Sequence, residues 1–207
     1  FLSETLAKLD TPPSTLISAS AIGYYGERGD EILREDSVAG EGYLPDVCVG
    51  WEQATVSASG GGIRVVNVRI GIVLSKTGGA LAKMLTPFKM GVGGKLGSGD
   101  QYMSWITLED LVHVLHHCAV IESVSGPVNA VAPNAVTNKE FTRALGRALS
   151  RPTLFPVPSF AARIAFGEMA DALLLSSTRV EPRRLFESGY VFQHSEIDQA
   201  LEAALSA

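Results

Sequence analysis

Ser18, Ala19 and Ser20 close a short apolar run begun by Leu16 and Ile17, and the turn Gly23-Tyr24-Tyr25-Gly26 follows at once. If that run is a strand, these residues lie just outside its carboxyl end, where open α/β sheets bind ligands. Small side chains there let a flat ring approach the backbone, and the two serine hydroxyls still offer hydrogen bonds. The same residues suit a buried strand end with a tyrosine turn, so both readings stand at this point. Other residues of chemical interest fit plainer roles. His113 and His117 stand four apart on a helix, but no glutamate follows His113 as the zinc-binding His-Glu-x-x-His pattern needs. They read as exposed helix histidines, and no metal site is expected. Cys48 and Cys118 read as small buried hydrophobes. Trp51 and Trp105 read as packing residues, Asp110 as a helix cap, and Arg183-Arg184 as a solvated helix face rather than a grip on an anionic substrate.

Composition sets the frame for these residues. The 207 residues are 46% hydrophobic and 19% charged, which excludes disorder or a coiled coil as the main state. At about 150 residues per domain the length corresponds to roughly 1.4 domains. A net charge of −5 argues against a nucleic-acid partner held by phosphate contacts. No apolar run approaches the roughly 18 residues of a membrane helix, so no membrane partner is expected. Two cysteines cannot build a disulfide framework and suit a reducing compartment, here the cytoplasm. The chain begins at Phe1, inside what reads as a helix and without a signal peptide, which suggests that it starts within a larger protein.

The elements that must position the site follow from periodicity and punctuation. A short helix over 1–9 ends at Pro12-Pro13, and a buried strand covers 16–20. The charged stretch 27–42 reads as a surface loop, and a helix follows over 45–58. The β-branched run 63–74 is the strongest strand of the chain. A helix over 77–90 leads into the five-glycine loop 91–99. Thr107 and Thr137, each with an acid three residues on, open helices over 107–121 and 137–149 around a short strand at 128–131. Further expectations are a strand at 153–157, helices over 159–175 and 195–205, and a strand-like segment at 190–192. Strands alternating with helices imply parallel crossovers and an α/β fold. The pattern becomes more helical from about residue 134.

Several segments then resemble a known family. Ser18 to Gly26 resembles the strand-to-loop signature of the extended short-chain dehydrogenase/reductase superfamily. Arg69-Ile70-Gly71-Ile72-Val73-Leu74, the stretch from Gly97 to Ile106 with Glu109-Asp110-Leu111, Asn129 to Pro133, and the tail Pro182-Arg183-Arg184-Leu185 with Gly189 to Phe192 narrow it. Together they are similar to the atypical, YfcH-type "epimerase family protein" branch. The resemblance implies the C-terminal part of a Rossmann-type doubly wound parallel sheet, over 1–133, and a small, mostly helical substrate-side lobe over 134–207. It implies binding of NADP(H) by the full-length protein and a small-molecule substrate, with a nucleotide sugar as one option. The glycine-rich turn that holds the pyrophosphate in such proteins has no counterpart here, because the cluster at 91–99 follows a helix rather than a strand. The resemblance therefore implies an N-terminally truncated chain.

By the same resemblance Ser18, Ala19, Ser20, Gly71, Ile72 and Val73 face the cofactor, with Gly71 letting the backbone come close. Conventional members use a tyrosine as general acid/base, its phenol acidified by a lysine four residues on. Here the residues four after Tyr24, Tyr25, Tyr43, Tyr102 and Tyr190 are Arg28, Gly29, Val47, Ile106 and His194, and none is lysine. Tyr24 and Tyr25 are thus the weak catalytic candidates, against a plain role as pocket wall. Two functions stay open: an NADP(H)-dependent epimerase or oxidoreductase, and a catalytically silent cofactor-binding or regulatory protein.

Overall fold

The computed structural model describes residues 1–157 and 176–206. Its centre is a parallel sheet. Strand β1 (Thr15–Ala21) pairs along its whole length with β3 (Arg64–Ile70), and β3 pairs with β7 (Gly126–Ala130). Strand β3 is buried from Val65 to Arg69, whereas β1, at the edge, is mostly half-buried. Alternation sorts the side chains of β3. Val66 and Val68 pack with Leu111, Val114 and Cys118 of helix α5 (Leu108–Val120). Asn67 and Arg69 point the other way, toward Thr55 and Glu52. Helices therefore cover both faces, as a parallel sheet requires.

The run expected as one strand over 63–74 divides at Gly71. Strand β4 (Ile72–Leu74) leaves the first sheet and pairs in parallel with β6 (Trp105–Thr107). At the break only glycine fits. A Cβ on Gly71 would stand 2.7 Å from Val131 Cγ1 and 2.8 Å from the Ser104 carbonyl oxygen. The helix expected over 45–58 likewise divides, into α2 (Tyr43–Gln53) and α3 (Val56–Gly60). Between them the Thr55 hydroxyl donates to the Glu52 carbonyl at 2.7 Å and meets Asn67, competing with the helical ladder.

The loop 27–42 holds a two-residue strand, β2 (Ile32–Leu33), paired with β9 (Arg179–Val180). Residues 190–192 form no strand: Tyr190 packs edge-on against His117 and Phe192, and its hydroxyl donates to Asp110. Residues 153–157 contribute only an isolated bridge between Leu96 and Val157. The helix expected over 159–175 lies outside the described residues. Strand β5 (Tyr102–Met103) pairs with β8 (Val136–Thr137), which opens into helix α6 (Asn138–Ala148) through a complete capping box of Thr137 and Glu140.

One apolar cluster joins helix α4 (Gly79–Lys89), through Leu81, Met84, Leu85 and Phe88, to Phe141, Leu145 and Leu201. It draws on residues from both sides of position 133. Helix α7 (Arg183–Glu187) lies against β7, and helix α8 (Ile197–Ser206) against α6. Asp110, fully buried, receives the backbone N–H groups of Gln193 and His194 at 2.9 and 3.0 Å and so anchors the tail to α5. Among the described residues no helix is long and apolar enough to cross a membrane.

Candidate functional site

A cavity of about 460 Å³ opens at the carboxyl ends of β1 and β3. Gly71, Ile72 and Val73, where the chain changes sheets, form one part of its lining, and Ala21, Ile22 and Gly23 another. Helix α2 contributes Leu44, Val47, Cys48 and Trp51, spaced i, i+3, i+4 and i+7 on one face. Gly79, Ala80 and Lys83 of α4, with the Tyr102–Ser104 segment, complete most of the wall. The Gly71 amide donates to the Ala130 carbonyl at 3.1 Å, and the Ile72 amide to that of Ser104 at 2.9 Å. These two amides are therefore spent within the sheets.

Beneath the cavity lies a buried polar network centred on Arg69, which is 2% exposed. Its Nε and Nη2 donate to Glu52 Oε1 and Oε2 at 2.8 and 2.9 Å. Nη1 donates to the Tyr25 hydroxyl at 2.9 Å and the Glu35 carbonyl at 3.3 Å. The guanidinium also stacks on Tyr24, 3.5 Å above the ring centre. Burial works against the charge of Arg69, but its bonds to Glu52 and Tyr25 outweigh that and hold it protonated beyond the usual range. Ser20 adds a hydrogen bond to Glu52 Oε1 at 2.9 Å.

Tyr25 is fully buried. Its oxygen lies 2.7 Å from Asn129 Oδ1 and 3.0 Å from the Arg34 carbonyl, so one proton serves two acceptors. Burial pushes this phenol up to about 12, against the opposing pull of Arg69. Glu35, also buried, receives the amides of Asn129 and Arg184 on Oε1, and burial raises its carboxyl above the ordinary range. Burial raises the Cys48 thiol too, so α2 presents the cavity with a neutral, largely apolar face.

Of the residues singled out in the sequence, Gly71, Ile72 and Val73 line the cavity. Ser18, Ala19, Ser20, Tyr24 and Tyr25 do not. Ser18 is half-buried, Ala19 is exposed, and Ser20 is engaged with Glu52. Sequence reasoning missed Leu44 and Val47 and read Cys48 only as a buried hydrophobe and Trp51 as a packing residue, whereas Trp51 is 52% exposed and all four line the cavity from one helix face. It also missed the place of Lys83 and Tyr102 on the wall, which no motif marks. The remaining candidates find structural partners. His113 Nδ1 meets Gln193 at 2.8 Å and His117 Nε2 meets Ser188 at 2.9 Å. Arg184 Nη1 donates to the carbonyls of Ser125 and Pro127 at 2.6 and 2.9 Å. Arg183 pairs with Asp36 and Glu187.

Comparison with known proteins adds four findings. Residues 157–204 match the family model described as a domain of unknown function, DUF1731. The chain is 49% identical over 195 residues to the epimerase family protein Mb2239 of Mycobacterium bovis, covering 94% of itself but only 65% of that protein. It is 37% identical over 207 residues to the epimerase family protein SDR39U1 of Bos taurus, covering 70% of that protein. The crystal structure of human SDR39U1 (isoform 2) with NADPH superposes with a TM-score of 0.87 at 32% identity, over 100% of this chain and 70% of that one.

Proposed function

The chain belongs to the epimerase family that includes SDR39U1, and we propose that its cavity beside Gly71 takes the nicotinamide end of NADP(H) together with a small-molecule substrate. One observation carries this reading: Gly71, Ile72 and Val73 meet residues 21–23 in an apolar cavity at the carboxyl ends of two parallel strands. The likeness to a relative solved with NADPH supports it. The apolar walls suit a flat ring. The pyrophosphate end lies beyond this reading, because the 207 residues hold no glycine-rich βα turn.

Bound NADP(H) supplies hydride chemistry, which makes the protein an epimerase or oxidoreductase in this reading. The chain's own residues bind and orient. Gly71, Ile72 and Val73 contact the ring. Ser18 and Ala19 lie on β1 outside the lining and leave the ring contact to the residues at 71–73, and Ser20 acts through Glu52 to hold the α2 wall. Tyr24 and Tyr25 serve as positioning residues through Arg69: the Tyr24 ring stacks on the guanidinium, and the Tyr25 phenol, pushed up to about 12 by burial, stays protonated at neutral pH.

A second reading has its own support. The sequence has no Tyr-x-x-x-Lys pair, and α2 turns Leu44, Val47, Cys48 and Trp51 to the cavity. A catalytically silent, NADP(H)-binding regulatory protein fits that wall.

Fluorescence titration of NADPH with the protein tests both readings. A saturable rise in nicotinamide emission is expected, and its absence at millimolar ligand overturns both. Substrate-dependent NADPH oxidation across carbonyl compounds and nucleotide sugars then favours the enzyme, and silence across both panels the regulator.

A further inference from the structure

We propose that this cavity selects a substrate with an apolar body and a single anionic group, a carboxylate or a phosphate, held by the ammonium of Lys83. The inference deepens the function proposed above and rests on it for the cavity being the substrate site.

Helix α4 divides its faces cleanly. Leu81, Met84, Leu85 and Phe88 enter the core, while Gly79, Ala80 and Lys83 turn to the cavity at i, i+1 and i+4. Lys83 is the one Lys, Arg, Asp, Glu or His side chain among the described residues of the lining. In a chain with net charge −5, a basic residue with no carboxylate beside it on the wall is an unbalanced charge. Lys83 has no hydrogen-bond or ion-pair partner among the described residues. Lys83 is exposed at the rim of the cavity, so its attraction for an anion is screened by solvent and falls as salt is added.

The rest of the wall discourages a hydroxyl-rich ligand. The Ser104 hydroxyl donates to the Thr178 carbonyl at 2.8 Å and accepts the Val180 amide at 2.9 Å. The Thr178 hydroxyl donates to the Gly26 carbonyl at 3.2 Å. The Gly71 and Ile72 amides are spent in the sheets. A sugar ring enclosed here would leave most of its hydroxyls unpaired, which a site rejects strongly. The Tyr102 hydroxyl has no partner among the described residues and offers one hydrogen bond to the body of the ligand.

Calorimetric titration with trans-cinnamate, phenyl phosphate, the neutral cinnamamide and UDP-glucose tests this. At least one of the two anions is expected to bind about tenfold more tightly than cinnamamide, and the tighter of the two identifies the anionic group. Lys83→Met should bring the anions within about twofold of the amide, and Lys83→Arg should retain the preference. Added salt should weaken the anions and spare cinnamamide. That salt dependence on the wild-type chain keeps the proposal testable if Lys83→Met does not fold.

Equal binding of acid and amide, a preference that survives Lys83→Met, or no binding of either anion at millimolar concentration overturns the proposal. So does UDP-glucose binding more tightly than both anions and unaffected by Lys83→Met. NADPH titrated in parallel separates the two claims. Anion selectivity without NADPH binding removes the cofactor reading alone, and NADPH binding without anion selectivity removes this one.

Discussion

Arg69 and Glu52 meet in a two-point ion pair inside the molecule, Nε to Oε1 at 2.8 Å and Nη2 to Oε2 at 2.9 Å, with their side chains only 3% and 14% exposed. The pair fastens the last turn of α2 to the end of the central strand β3. That attachment sets the face of α2 that lines the cavity, and Tyr24, Tyr25 and Ser20 brace it.

Removing one partner of such a pair strands a charge. Arg69→Met should lower the unfolding free energy by roughly 3–5 kcal/mol. Arg69→Lys should recover only part of it, because an ammonium cannot make the forked contact. Urea unfolding measures both, and a loss below about 1 kcal/mol for Arg69→Met contradicts the role given to the pair.

Tyr25 makes stability depend on alkaline pH. Its phenol is raised from 10.0 to about 12 in the folded chain. The neutral form is therefore favoured by folding, and its contribution is complete below pH 10 and lost as pH rises toward 12. Linkage puts the loss at roughly 2–3 kcal/mol. Tyr190, also raised by burial, adds a fall of its own, so the quantity to measure is the difference between wild type and Tyr25→Phe from pH 9 upward. The variant should start less stable, since Arg69 Nη1 and Asn129 lose a partner, and then fall less steeply. Parallel curves contradict the assignment.

Gly71 is required by contact rather than by backbone angle. A methyl there meets Val131 Cγ1 at 2.7 Å and the Ser104 carbonyl at 2.8 Å. Gly71→Ala should cost about 1–3 kcal/mol, read as a lower melting temperature. Adding Val131→Ala should relieve part of the loss, because the Ser104 backbone remains in the way. An unchanged melting temperature in Gly71→Ala contradicts the crowding.

How far the site was legible from sequence depends on the kind of signal. Strands β1 and β3 were readable from Leu16-Ile17 and from the β-branched run, the parallel sheet from their alternation with helices, and both threonine caps from their acids three residues on. The break at Gly71 was not readable, because nothing local distinguishes a glycine inside a strand from one crowded by Val131, sixty residues away in the chain. Arg69 alternates with β-branched residues, as Asn67 does, and its burial makes sense only once Glu52 and Tyr25 are seen around it. Tyr24 and Tyr25 drew attention as titratable groups at a strand end. Their engagement with Arg69, Tyr24 by stacking and the buried Tyr25 by its hydroxyl, is a tertiary fact, and neither lines the cavity. Lys83 and Tyr102 reach that wall through the packing of α4 and the β5–β8 pairing, which no short motif announces. The apolar face of α2 was within reach from its spacing, but the one-helix reading through residue 58 hid where that face ends.

The central claim is that the cavity at Gly71 receives the nicotinamide. Titration of the isotopically labelled chain with NADPH, followed by amide NMR shifts, tests it most directly. The largest shifts are expected at Gly23, Gly71, Ile72, Val73 and Ala80. Reduced nicotinamide mononucleotide, which lacks the adenosine end, should move the same set. Shifts that leave these five amides unmoved while others respond, or no shifts with either ligand, contradict the claim.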